Sequence, residues 1–133
     1  MNFSTGLIVL GVLIVAVLLV TTVTSTNSTT PGIVAIEFPK KIQADGNEVL
    51  GTVKFRDSDG DIARADFEVV KAEAFEPFSF DPQVEGEKQG SFQFAIYTIY
   101  PQRVTLEVTL IDREGHRSKP KRFSFVAELS LGF

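Results

Sequence analysis

Two patterns divide this chain. From Leu7 to Val23 it reads LIVLGVLIVAVLLVTTV, apolar on every side and free of charge. From Ile33 onward apolar and polar residues alternate with a period of two. A helix of a soluble core keeps a polar face, so an all-apolar helix belongs in lipid or inside a helical assembly. The run sits at the short end of the roughly 17–25 residues that span a bilayer and exceeds the about 7–15 of a secretory signal. Leu7, Ile8, Leu10, Leu13, Ile14, Leu18 and Leu19 are the expected membrane-spanning positions. A cleaved signal is the competing reading. Val23-Thr24-Ser25 offers a small-residue cleavage pattern, but Met-Asn-Phe-Ser-Thr places no lysine or arginine ahead of the run.

Thr21 to Thr30 reads TTVTSTNSTT, and Pro31-Gly32 ends it. Such a tract cannot pack and stays solvated, either as a plain linker or as a short stalk glycosylated at Asn27 of the sequon Asn27-Ser28-Thr29. The expected organisation is a transmembrane helix over 1–23, a Ser/Thr-rich linker over 24–32 and a β domain over 33–133. A five-residue head is more naturally left inside, which puts the β domain outside the cytoplasm.

Within the β domain the alternation predicts about seven short strands and no helix. Val34, Ile36 and Phe38 share a face before Pro39 stops the run. Val49, Gly51, Val53 and Phe55 face inward, as do Phe67 and Val69. Phe75, Phe78 and Phe80 form a Pro-interrupted run, expected at an edge. Phe92, Phe94 and Ile96 alternate, and Tyr97 and Ile99 break phase as a bulge would. Val104, Leu106, Val108 and Leu110 give the clearest strand, and Phe123, Phe125, Ala127, Leu129 and Leu131 finish the chain. The fold class is mainly β, an antiparallel sandwich preceded by one hydrophobic helix.

Composition narrows the function. The 133 residues carry a net charge of −4, and every charged residue lies at or beyond Glu37. A mildly acidic β domain is a poor binder of nucleic acid. With no cysteine there is no disulfide, zinc finger or thiol nucleophile. His116 is the single histidine, read as an exposed turn residue, and no serine has a histidine and carboxylate beside it in a pocket. The chain is therefore expected not to be an enzyme and to take no small-molecule substrate.

The stretches VKFRDSDGDI and PQRVTLEVTLIDREGHRSKPKRFSF resemble the immunoglobulin-like modules of bacterial and archaeal surface proteins. In those an Asp-Gly turn follows the second strand, and an Asp-x-x-Gly-x-x-Ser hairpin joins the last two. The chain lacks the Cys–Trp–Cys signature of antibody-type domains, so the resemblance is to the polycystic-kidney-disease-like (PKD), cadherin-like or fibronectin type III branches. It implies that the Asp57–Asp61 loop and the Asp112–Lys119 hairpin share one end, where the first strand also begins. The acidic rim, Asp57, Asp59, Asp61, Asp112 and Glu114, then faces the anchor, with Arg64, Arg113 and Arg117 near enough to neutralise it. Lys40, Lys41, Tyr100, Pro101 and Gln102 mark the far end, where a partner would dock.

Asp57, Asp59 and Asp61 alternate as the first ligands of a calcium loop do, and Glu68 falls at its twelfth position. Ile62 stands where that loop needs glycine, and Asp-Gly turns also build ordinary sandwich loops. No cofactor is expected beyond a calcium ion at this loop. The apolar alternation from Phe123 to Phe133 outruns an ordinary strand of about five or six residues, so Leu129, Leu131 and Phe133 are candidates for strand addition or groove docking.

The expectation is a single-pass membrane protein with an extracytoplasmic immunoglobulin-like domain. Its role is that of a structural or accessory subunit acting through protein–protein contacts. One alternative is a filament subunit or an envelope-linked stator, because the layout is similar to archaeal pilins and to archaellum accessory proteins. The basic residue that precedes glycine in a pilin processing site is missing here, since only Met-Asn-Phe-Ser-Thr stands ahead of Gly6. Another alternative is a secreted calcium-binding or adhesive module.

Overall fold

A computed structural model describes residues 30–129 of the chain. The proposed span (Leu7 to Leu19), the sequon Asn27, and Leu131 and Phe133 lie outside the described residues. Among the described residues no helix is long and apolar enough to cross a membrane.

Among the described residues eight strands follow one another: β1 (Gly32–Glu37), β2 (Lys41–Gln43), β3 (Val49–Arg56), β4 (Ile62–Lys71), β5 (Phe78–Phe80), β6 (Gln89–Ile96), β7 (Gln102–Asp112) and β8 (Lys121–Glu128). They form a three-stranded sheet, β1-β3-β6, and a five-stranded sheet, β2-β8-β7-β4-β5. Seven of the eight strands coincide with the alternations read from the sequence. The exception is β2, which has one apolar residue, Ile42, between Lys41 and Gln43 and so carries no period of its own. It is also the one strand paired parallel, along Val126–Glu128 of β8. The chain crosses from one sheet to the other between β1 and β2, at Phe38-Pro39-Lys40, where proline cannot continue a ladder.

Alternation fails locally at two places. A register shift between Ile33 and Ala35 in β1 turns Ile33 and Ile36 toward the core and leaves Val34 48% exposed, so Val34, Ile36 and Phe38 do not share a face. Tyr97 and Ile99 are not a bulge: β6 ends at Ile96, and Tyr97, Ile99 and Tyr100 stand out from the turn that leads to β7. Phe75 precedes β5 rather than lying in it, while Phe78 and Phe80 do form the edge strand.

The core is phenylalanine set among β-branched and leucine side chains. Val104, Leu106, Val108 and Leu110 of β7 are fully buried, and Phe55, Phe67 and Phe125 nearly so. Phe67 is central: its ring centroid is 4.5 Å from Phe78, 4.9 Å from Phe94 and 5.9 Å from Phe80. Opposite Phe94 on β3 sits Gly51, where a Cβ would come 2.3 Å from the Phe94 ring. Gly51 thus provides the slot in which Phe94 lies flat across the strand. Gly51→Ala is expected to cost about 1–3 kcal/mol, the range for overpacking a closed core. A denaturant melt checks this, and an unchanged midpoint would show that Phe94 moves aside freely.

Candidate metal centre and docking end

The sandwich has two chemically different ends. At one, β1 begins beside the end of β3 (Gly32 opposite Arg56), and the Asp57–Asp61 loop follows directly. The hairpin after β7 meets it, with the Arg113 N–H donating to the Asp61 carbonyl at 3.1 Å. The described chain therefore enters at the acidic end.

The loop is built by its own backbone. The Gly60 N–H donates to the Asp57 carbonyl at 3.0 Å, and the Gly86 N–H to the Gly60 carbonyl at 2.8 Å. Gly60 has φ +62°, and a Cβ there would meet the Gly86 backbone at 3.1 Å, so glycine is required twice over. Asp57 is 1% exposed. Its Oδ2 accepts from the Asp61 N–H at 2.9 Å, but its Oδ1 is buried with no hydrogen-bond partner among the described residues, and so is Oδ1 of Asp61. One carboxylate oxygen from each of Asp57, Asp59 and Asp61 lies within 4.8 Å of the others. Burial, and next the Asp57 carboxyl, holds the Asp61 carboxyl above the usual carboxylate range, with Asp112 adding to the effect.

The arginines do not relieve this charge. Arg64 pairs with Asp66 at 2.7 Å, Arg113 with Glu85 at 2.7 Å, and Arg117 approaches Asp66 at 3.9 Å. Asp112 is engaged within its own hairpin. Its carboxylate accepts from the Glu114 and His116 N–H groups and faces His116 Nδ1 at 2.9 Å. That contact raises the His116 pKa, and His116 is thus tied to Asp112 rather than free in the turn. Glu68 is not brought to the loop. It sits exposed in mid-β4 opposite Glu107, because a strand carries it away where a helix would have returned it. The donor set is three carboxylates, two with an unused buried oxygen, which fits a hard divalent cation that completes its six to eight ligands with water and carbonyls. Asp57, Asp59 and Asp61 would hold it.

The opposite end is apolar. Leu50, Val70, Tyr97, Ile99, Tyr100 and Leu129 are exposed large hydrophobic residues, and all lie on strand ends or turns at this far end. A groove of about 550 Å³ opens there, lined among others by Phe75, Phe78, Ala95, Ile96, Tyr97 and Tyr100. Gln102 fixes both its walls. Its side chain accepts from the Glu73 and Ala74 N–H groups and donates to the Ala74 carbonyl at 2.8 Å and to Thr98 Oγ1 at 3.1 Å. Its 7% exposure is what makes it a clamp, and glutamine in an alternating strand gives no sign of this in the sequence. Lys41 lies beside the far end on the edge strand β2, 3.6 Å from Glu128, with Lys40 just before it.

No protein-family model matches the chain, and no curated protein matches it. Among solved structures it is similar to the PKD domain of an M14-like peptidase from the Thermoplasmatales archaeon SCGC AB-540-F20. The TM-score is 0.55 at 13% identity, covering 75% of this chain and 97% of that chain. The described region is thus a PKD-like sandwich of the immunoglobulin-like class.

Proposed function

We propose that this chain is a membrane-anchored, non-enzymatic protein that holds a PKD-like domain outside the cytoplasm and docks another protein subunit with the domain's far end. The observation that carries the reading is the polarity of the domain. The described chain enters at the carboxylate end, and its exposed large apolar side chains, Val34 apart, gather at the other. A hydrophobic cluster with tyrosines on a pre-formed groove has the make-up of an interface hot spot. The Asp57–Asp61 loop lies at the end where the chain enters and is suited to stiffening it, because a bound ion would tie the end of β3 to the start of β4.

Mild detergent extraction from native membranes tests this, with mass spectrometry of co-migrating proteins and of the amino terminus. Co-migration with a defined set of membrane proteins, Met1 intact, is the expected result. A lone small species lacking its first residues would overturn it. Ile99→Asp with Tyr100→Asp is expected to abolish co-migration while shifting stability by less than about 0.5 kcal/mol, since both side chains are exposed. Co-migration that survives the pair would place the docking surface elsewhere.

A further inference from the structure

We propose that the open edge of β6 accepts, as an added strand, the segment Leu129–Phe133 of a neighbouring copy of this chain. The inference rests on the far end being a docking end and names how one contact there is made.

An unpaired strand edge invites another strand unless something blocks it. Among the described residues the sheets leave four edges, and three are blocked. β1 carries a register shift and the Glu37–Lys54 ion pair. β2 is three residues long and follows Lys40 with Lys41. β5 is also three residues long and lies between Pro77 and Pro82. β6 has no such device. It is eight residues long and unshifted in register against β3, and from Gln89 to Gln102 the chain has no charged residue.

The free hydrogen-bonding groups can be assigned. The Asp57 N–H donates to the Lys88 carbonyl at 2.8 Å, which continues the β3–β6 ladder. Antiparallel pairs alternate, so Gly90, Phe92, Phe94 and Ile96 bond to β3, and Ser91, Gln93 and Ala95 direct their N–H and C=O groups outward. Beside this edge lies the apolar groove between Ala95–Tyr100 and Phe75–Phe78. A strand added to β6 would cover it, because a sheet of three strands leaves part of the inner face of a sheet of five uncovered. Phe78 and Phe80 are only half-buried there.

Pairing of β8 ends with Gln102 opposite Ala127 and Gln43 opposite Glu128. Beyond it stand Leu129, 65% exposed, then Leu131 and Phe133, apolar at every second position and without charge. That alternation suits a strand whose one face fills a groove and whose backbone pairs with an edge. A neutral segment on a neutral edge also avoids the self-repulsion that an acidic domain meets elsewhere.

Reach decides between the same copy and its neighbour. β8 is two strands from β4, and β6 stands across from β4 and β5, with Phe67 against Phe94 and Phe80 against Phe92. Strand spacings of about 4.8 Å and a sheet separation of about 10 Å put the outer side of β6 roughly 17 Å away. Five residues span at most about 17 Å, so the segment Leu129–Phe133 of the same copy is spent in crossing. A neighbour's tail leaves β8 at the far end and meets β6 from outside the domain, so its five residues lie along the edge instead of being spent in a crossing. Such a contact joins donor to acceptor without closing, and repeats into a row of copies.

The test is sedimentation velocity of the purified full-length chain in detergent micelles over a concentration series. Wild type is expected to self-associate. Leu131→Asp removes the donor and Gln93→Pro the acceptor, each weakening association by about tenfold or more. Mixing the two variants restores a one-to-one pair, since each keeps the half that the other lacks. Thermal melts verify the fold of the β6 variant, and Gln93→Lys serves where proline disturbs it. A monomeric wild type overturns the contact, as does association that survives Leu131→Asp, or a mixture that stays monomeric. Because the chain is purified alone, none of these outcomes alters the co-migration result that judges the docking end itself.

Discussion

Adding calcium to this chain is expected to raise its melting temperature, and Asp61→Asn to remove the gain. The two orphaned oxygens, Oδ1 of Asp57 and of Asp61, carry the expectation, because a buried carboxylate oxygen without a donor calls for a cation. At calcium ten times above its dissociation constant, linkage gives about 1.4 kcal/mol. For a domain of about 100 residues that is a rise of about 6–11 °C. Asp57→Asn is expected to remove the gain as well, while an amide oxygen can still accept the Asp61 N–H that shapes the loop.

The pH dependence gives the same site a second signature. Asp61 is held above its unfolded value, so without calcium its contribution to stability is fully present below about pH 3.9 and is lost as pH rises through its folded pKa. His116 has the same sign at higher pH. Its pKa is raised by Asp112, so its contribution is present below about pH 6.5 and is lost as pH rises through the raised value. In a chelator the domain should therefore weaken as pH rises from about 4 to above 6.5. Calcium binds the deprotonated loop, so its stabilisation should grow over the Asp61 limb and leave the His116 limb in place. A calcium-insensitive melt at neutral pH would sink the metal centre.

Phe67→Ala is expected to be the most damaging single truncation in the domain. Phe67 is 1% exposed and touches rings from both sheets, Phe94 from one and Phe78, Phe80 and Phe123 from the other. Its removal leaves a cavity walled by strands that cannot collapse onto it. The cost is about 3–5 kcal/mol. That lowers the melting temperature by at least about 12 °C and approaches the whole stability of a small domain. Phe80→Ala, on the half-buried edge, should cost clearly less. Equal losses at the two positions would mean that the core is not centred where the rings converge.

How far the sequence can be read follows from which residues carry the signal. β7 is legible because four apolar residues repeat at every second position, and burial of that face is what makes the strand. β3 and the inner part of β6 are legible for the same reason. β2 is not, since Ile42 alone cannot show a period, and its hydrogen bonds depend on β8, more than eighty positions away. The face of β1 is misread from alternation because a register shift moves the later residues by one place, and nothing in Ile33-Val34-Ala35 announces it. At the candidate metal centre the three aspartates are legible from their spacing, and the loop keeps them together. Glu68 is misplaced because sequence spacing means one thing on a helix and another on a strand. The arginines are misassigned because Asp66 and Glu85, which are not part of the loop, take them.

The sequence by itself determined a β domain with alternating strands, a loop of three spaced carboxylates, and an uncharged stretch from Gln89 to Gln102. These are local properties, fixed by what stands at every second position. The tertiary structure decided which strand edges stay open, which carboxylate oxygens are left without a donor, and at which end the apolar side chains collect. Each of those depends on partners brought from distant positions, and alternation along a chain cannot say which face, edge or end will remain unpaired.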